Sequence, residues 1–269
     1  AAVTTVIAHD VVKAVTLTGS EHAGMRVGEA AGRALKKCVL ELGGSDPFIV
    51  LDDADLDLAV AGAIRGRMVN TGQSCIAAKR FFVHEKIAEE FETKFAEKMK
   101  TLLIGNPMKR ETQVGPLAKS GFVADIDRQV QESIAQGATL LCGGKQTAVF
   151  GKGYFYEPTI LTHVTSEMAV FKEETFGPVA AITHFKSDED AIVLANMTPY
   201  GLGGSVWSTE KDRAEKIAKQ IDAGCVFVNQ FVKSDARVPF GGVKKSGYGR
   251  ELSSYGIKEF VNVKTVWVQ

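Results

Sequence analysis

The chain has 269 residues, with 32 basic side chains against 32 acidic ones, and 45% of its residues are hydrophobic. That composition suits a soluble globular chain with a sizeable core and two structural units. Balanced charge leaves no electrostatic footprint for nucleic acid or an anionic membrane, and no apolar run reaches the roughly 18 residues that span a bilayer.

The opening residues, AAVTTVIAHD, lack a basic-then-apolar signal pattern. In chain order, the patterning predicts a strand at 14–19, a helix at 21–36, and strands at 37–43 and 46–51. A helix at 55–70, a strand at 80–84 and helices at 85–103 and 119–136 follow. The remaining elements are strands at 138–143 and 179–185, a helix at 187–196, a strand at 203–208, a helix at 210–221 and a strand at 224–230. Short Val/Ile/Phe-rich runs alternating with helices predict an α/β fold with a mostly parallel sheet.

Gly24, Gly28 and Gly32 fall four apart on the first long helix and share one face. Tight helix–sheet packing accounts for Gly28 and Gly32. Gly24 closes the pattern Gly19-Ser20-Glu21-His22-Ala23-Gly24 at a strand-to-helix junction, where free N–H groups suit a cofactor phosphate. The stretch is neither a Walker loop nor GxGxxG.

Four cysteines, Cys38, Cys75, Cys142 and Cys225, lie far apart with no CxxC. This spacing argues against zinc and a disulfide framework and fits a reducing, cytoplasmic setting. Cys38, Cys142 and Cys225 sit in apolar runs and read as core. Cys75, in NTGQSCIAAKR, has a polar, flexible approach and helix-like residues after it. That context predicts a thiol near a helix start with thiolate character, the plain alternative being a small residue packed in a loop.

A nucleophilic thiol needs a base or a releasing step. Glu41 interrupts the apolar strand VLELGG and is followed by Gly43-Gly44, which allow close backbone approach. A carboxylate in apolar surroundings has a raised pKa and can serve as a base near neutral pH. The alternative for Glu41 is a strand-end pair with a lysine such as Lys36.

The order LTGSEHAG, LELGG, GQSC, EETFGPV and PFGGVKKSGYGRE, from Leu17 to Glu251, resembles the aldehyde dehydrogenase superfamily. The stretches ALKKCVLELGGSDPFIVL and SDARVPFGGVKKSGYGRELSSYGIKEF are most similar to bacterial succinate-semialdehyde dehydrogenases. The resemblance implies a partial Rossmann-like cofactor domain (1–42), an α/β catalytic domain (43–242) and a C-terminal segment (243–269) with an oligomerisation strand. The last strand, FVNVKTVWVQ, reads as an amphipathic edge that pairs between subunits of a homo-oligomer, a dimer or tetramer.

By the same resemblance, Cys75 is the nucleophile that forms a thiohemiacetal with an aldehyde, and hydride transfer to NAD or NADP leaves a thioester. Glu41 then activates the hydrolytic water. Gly19, Ser20 and Gly24 face the pyrophosphate, Leu42 and Gly43 border the nicotinamide, Glu174 holds the ribose hydroxyls and Phe176 packs beside that ribose. A carboxylate accepts from two hydroxyl donors, which suits Glu174 to the task.

The implied reaction is NAD(P)-dependent oxidation of an aldehyde, succinate semialdehyde first among the candidates. Ser234 and Arg67 are candidates for the substrate's distal carboxylate, and Phe240 for the pocket wall. Some family members carry that arginine six residues before the nucleophile, where this chain has Val69. Others carry a second, switching cysteine two residues after it, where this chain has Ala77. Family chains are nearly twice as long, and the oxyanion-hole asparagine and the residue that selects NAD or NADP belong to the part without a counterpart here. Loss of one such donor costs on the order of 100- to 1000-fold in turnover, so the 269-residue chain alone is expected to turn over little or no aldehyde.

Two other readings stand beside this one. A cysteine hydrolase would need a histidine partner, and His9, His22, His84, His163 and His184 sit in no partner motif. A non-catalytic truncated homologue, acting as a subunit or interaction module, would not need Cys75, Glu41 and Glu174 together.

Overall fold

A computed structural model describes residues 2–149 and 151–269. Its strands are β1 (Ala14–Thr18), β2 (Lys37–Glu41), β3 (Asp46–Val50), β4 (Ala78–His84), β5 (Thr139–Cys142), β6 (Gln146–Val149) and β7 (Lys152–Tyr156). They continue with β8 (Thr159–Thr162), β9 (Val179–Phe185), β10 (Tyr200–Gly201), β11 (Gly203–Trp207), β12 (Cys225–Val228), β13 (Val243–Lys244) and β14 (Gly247–Tyr248).

The main sheet has the order β12-β11-β3-β4-β9-β8-β5 and is parallel except where β5 meets β8. Its central strands are apolar on both faces because both faces are covered. Phe48, Val50, Phe81 and Val83 point into one core with Ala59, Val60, Phe91 and Phe95 from helices Leu56–Met68 and Ala88–Lys100. Ile49, Leu51 and Phe82 point the other way, into a core completed by Ile126, Ala191 and Ile217 from helices Ser120–Ala135, Asp188–Asn196 and Lys211–Ala218. The period-2 alternation of each strand therefore feeds two helical layers.

Helix starts follow side-chain capping. Asp55 accepts the Leu58 amide at 3.0 Å, and Ser187 and Asp190 form a reciprocal capping box. The segment expected as one helix over 85–103 begins with a separate 3₁₀ turn, Glu85–Ile87, because the His84 ring accepts the Lys86 amide at 3.2 Å.

A second, smaller sheet has the order β1-β2-β14. β14 returns from the far end of the chain and lies antiparallel on β2, with Gly247 opposite Glu41. The 243–269 segment thus completes the sheet begun by residues 1–42. The hairpin β6–β7 and strand β8 were not expected from the sequence, nor were the short helices Ala2–Ala8 and Ser253–Glu259. The segment FVNVKTVWVQ, expected as a strand, has no ladder within the single chain, and Val263, Trp267 and Val268 are more than four-fifths exposed. No helix among the described residues is long and apolar enough to cross a membrane.

Candidate active site

Three connections meet at one cavity of about 940 Å³: the turn after β1, the loop between β2 and β3, and the loop before β4. Gly19, Ser20, Glu41, Leu42, Gly43, Cys75, Glu174 and Phe176 all line it. This is the corner where parallel strands end and their connections diverge, the usual place for a ligand in such sheets.

Cys75 is delivered by an unusual backbone. Asn70, Thr71 and Gly72 all adopt positive φ, of 51°, 58° and 74°. A β-branched threonine there is strained, and the surroundings hold it. The Thr71 hydroxyl accepts the Gly115 amide at 3.0 Å, Arg67 Nη2 donates to Gly72 O at 2.7 Å, and the Ala118 amide donates to Gln73 Oε1 at 2.8 Å. A side chain at Gly72 would overlap the Gly177 carbonyl.

Cys75 then sits in a turn closed by Ala77 N–H to Ser74 O at 3.1 Å, and β4 follows at once. The expected helix start is therefore absent, and with it the expected dipole. Of residues 76–80, Ala78 onward enters the sheet, where Ala78 to His84 are all buried between two layers. Cys75 is half-buried, and burial pushes its thiol up, with the Lys79 ammonium opposing.

Glu41 ends β2 inside the protein, only 2% exposed, and neither carboxylate oxygen has a hydrogen-bond partner among the described residues. Burial pushes its pKa up to about 7, Glu251 adds to the shift, and Arg250 opposes it. The alternative pairing with Lys36 does not occur, since Lys36 Nζ donates to the carbonyls of Ile7 and His9. The C-terminal motif GGVKKSGYGRE closes over this corner. The Leu42 amide donates to Ser246 O at 3.0 Å, and the Ser246 hydroxyl donates to Gly43 O at 2.6 Å.

Of the two adjacent acids, Glu173 is taken up by Arg128, at 2.6 and 3.2 Å, on helix Ser120–Ala135. Glu174 instead turns inward and accepts the Gly44 amide at 3.0 Å. Phe176 is half-buried beside it, its ring 5.6 Å from that of Phe122. Ser20 caps helix Glu21–Arg33 by accepting the Ala23 amide at 3.3 Å, so that helix start borders the cavity. The donor set fits a dinucleotide: N–H groups at a helix start for phosphate, a carboxylate for hydroxyls, and a ring beside it.

Other expected residues lie elsewhere. Gly24 is buried away from the cavity, and a Cβ there would press on Leu42 at 2.5 Å, so it serves helix-to-strand approach. A Cβ on Gly28 would meet the Tyr248 hydroxyl at 3.2 Å, whereas one on Gly32 would meet nothing. Arg67 is fully buried under the Cys75 loop and does not reach the cavity wall. Ser234 is exposed and Phe240 half-buried, bridging Glu251, and neither lines the cavity. No histidine among the described residues lines it either.

Two residues that nothing in the sequence singled out are central here. Lys79 is fully buried and gives its three protons to Ser74 O, Cys75 O and Ala77 O, at 3.0, 2.9 and 3.2 Å. Arg80 points to the opposite face, between the rings of Phe82 and Phe171, and donates to the carbonyls of Ser45, Leu194 and Ala195. The one available signal was a Lys-Arg pair at the head of a strand that is otherwise apolar.

Residues 1–266 match the family model described as the aldehyde dehydrogenase family, and the chain belongs to that family. It is 52% identical over 256 residues to a succinate semialdehyde dehydrogenase (NAD(P)+) of Escherichia coli, covering 95% of this chain and 55% of that protein. It is 51% identical over 257 residues to a succinate-semialdehyde dehydrogenase (NADP(+)) of Mycobacterium leprae, covering 96% and 56%. Among solved structures, succinic semialdehyde dehydrogenase from Streptococcus pyogenes in complex with NADP+ superposes with a TM-score of 0.95 at 41% identity, covering 99% of this chain and 58% of that one. Betaine aldehyde dehydrogenase from Staphylococcus aureus in complex with NAD+ gives 0.91 at 35%, covering 96% and 51%. The chain thus spans little more than half the length of these relatives.

Proposed function

We propose that this chain carries the nucleophile, the base and part of the dinucleotide site of an NAD(P)+-dependent oxidation of aldehydes to carboxylic acids, with succinate semialdehyde as substrate. One observation carries the reading: Cys75, Glu41 and Glu174 line a single cavity.

A thiol that burial holds protonated needs a proton acceptor, and a carboxylate poised near pH 7 with no competing hydrogen bond is suited to that role. Glu41 takes the thiol proton, and Cys75 Sγ adds to the carbonyl carbon to give a thiohemiacetal. Bound nicotinamide would supply the hydride acceptor. Glu174 would hold ribose hydroxyls, and Gly19 and Ser20 a phosphate. Glu41 gives that first proton up to solvent and then takes one from water as it attacks the thioester; collapse of the tetrahedral adduct releases the acid and the Cys75 thiolate, which takes the proton back from Glu41. The choice of succinate semialdehyde rests on the likeness to the E. coli, M. leprae and S. pyogenes enzymes.

The test is protection. Succinate semialdehyde should slow carbamidomethylation of Cys75 while leaving Cys38, Cys142 and Cys225 unchanged, as read by peptide mass mapping. Equal rates at Cys75 with and without aldehyde would refute the assignment.

A further inference from the structure

Lys79 occupies a position that packing alone does not require. Its ammonium is fully buried at the head of β4, where a hydrophobic side chain would fill the same space without a desolvation cost. All three of its protons go to backbone carbonyls of the single turn that carries Cys75. From the same point it stands 3.6 Å from Glu174 Oε1, the oxygen that also accepts the Gly44 amide. The charged groups facing Lys79 are Glu174, Arg67 and Asp46, besides the Cys75 thiol itself; burial pushes the ammonium's pKa down, as does Arg67, while Glu174, Asp46 and the thiol oppose that. Asp46 is fully buried on β3 and accepts the Gly203 amide at 3.1 Å.

We infer that Lys79 is a positioning residue that ties the Cys75 turn to Glu174 from inside the fold and supplies the positive charge against which the Cys75 thiolate forms. The inference deepens the proposed function and rests on it for the role of Cys75. With no histidine at the cavity, Lys79 does the electrostatic work that an imidazolium does beside other catalytic thiols. The same ammonium lowers the thiol's pKa, while Asp46 and Glu174 raise it. Glu174 and the thiolate therefore share one cation, so the carboxylate proposed for the ribose and the nucleophile are electrostatically linked.

The experiment follows the pH dependence of Cys75 alkylation by iodoacetamide in the full 269-residue chain, read by peptide mass mapping. Lys79→Gln keeps N–H donors and loses the charge, whereas Lys79→Met loses both. Both should move the alkylation midpoint to higher pH and slow labelling at pH 7 by about threefold to tenfold, the lost thiolate being partly offset by its greater nucleophilicity. Glu174→Gln should move the midpoint the other way. A Lys79→Gln midpoint equal to that of the unaltered chain would show that the lysine only builds the turn. If either Lys79 variant unfolds, exposing all four thiols, Glu174→Gln decides, and an unchanged or raised midpoint overturns the inference. Failure of aldehyde to protect Cys75 would instead sink the proposed function, leaving the Lys79 midpoint to be judged separately.

Discussion

Gly43 packs directly against Glu174: a Cβ at position 43 would overlap Glu174 Oε2. The backbone that follows Glu41, the proposed base, therefore leaves room for the carboxylate proposed to hold the ribose, and glycine is what makes that room. The obstructing atom is the tip of a flexible side chain, so Gly43→Ala should shift Glu174 rather than the fold. Expected are a stability change within about 1 kcal/mol and NADP+ binding weakened by about tenfold, by equilibrium dialysis against the unaltered chain. Unchanged binding would remove Glu174 from the dinucleotide site.

Glu41 makes stability depend on pH in a definite direction. Its pKa rises from about 4.5 to about 7 on folding, so the folded chain binds more protons than the unfolded one between those values. Stability contributed by the neutral carboxyl is present at low pH and is lost as pH rises through 7. A shift of that size corresponds to about 3 kcal/mol at most. Glu41→Gln should accordingly stabilise the chain at pH 8 by about 1–3 kcal/mol and have little effect near pH 4.5, by urea midpoints at both pH values. Equal effects at the two pH values would contradict the buried, unpartnered carboxyl.

Arg80 is a structural counterpart to Lys79 on the opposite face of β4. It is fully buried and joins Ser45 to the C-terminal end of helix Asp188–Asn196 through carbonyl acceptors. Arg80→Ala would strand those carbonyls and open a void between Phe82 and Phe171. A loss of about 3–5 kcal/mol is expected, measurable as a lower denaturation midpoint, with no change in the pH midpoint of Cys75 alkylation.

Much of the fold was legible because its strands are covered on both faces. DPFIVL and VAAITHF read as short, mainly apolar runs between helical patterns, as buried strands do. Cys75, Glu41 and Glu174 could be singled out through the family motifs, whereas their meeting at one cavity is a product of the sheet's crossovers. The environment of Cys75 was misread because IAAKR looks helical locally, yet Ala78–His84 is drawn into the sheet by β3 and β9. Lys79 and Arg80 stayed hidden, and Arg67 was expected at the substrate instead of beneath the Cys75 loop, for a related reason. Basic residues normally mark a solvated face, and these are buried against carbonyls supplied partly by distant segments. The β6–β7 hairpin was missed because its strands are only four and five residues long and their pairing is interrupted by a register shift.

The central claim is that Cys75 forms the covalent intermediate and Glu41 releases it. An activated ester, p-nitrophenyl acetate, tests this without any cofactor, since the thiolate displaces nitrophenolate to leave an acetyl thioester that water must hydrolyse. By intact mass and peptide mapping, the acetyl group should appear on Cys75, and it should decay at least about tenfold faster in the unaltered chain than in Glu41→Gln. Acetyl groups on Cys38, Cys142 or Cys225 instead, or equal decay in the two chains, would contradict the account.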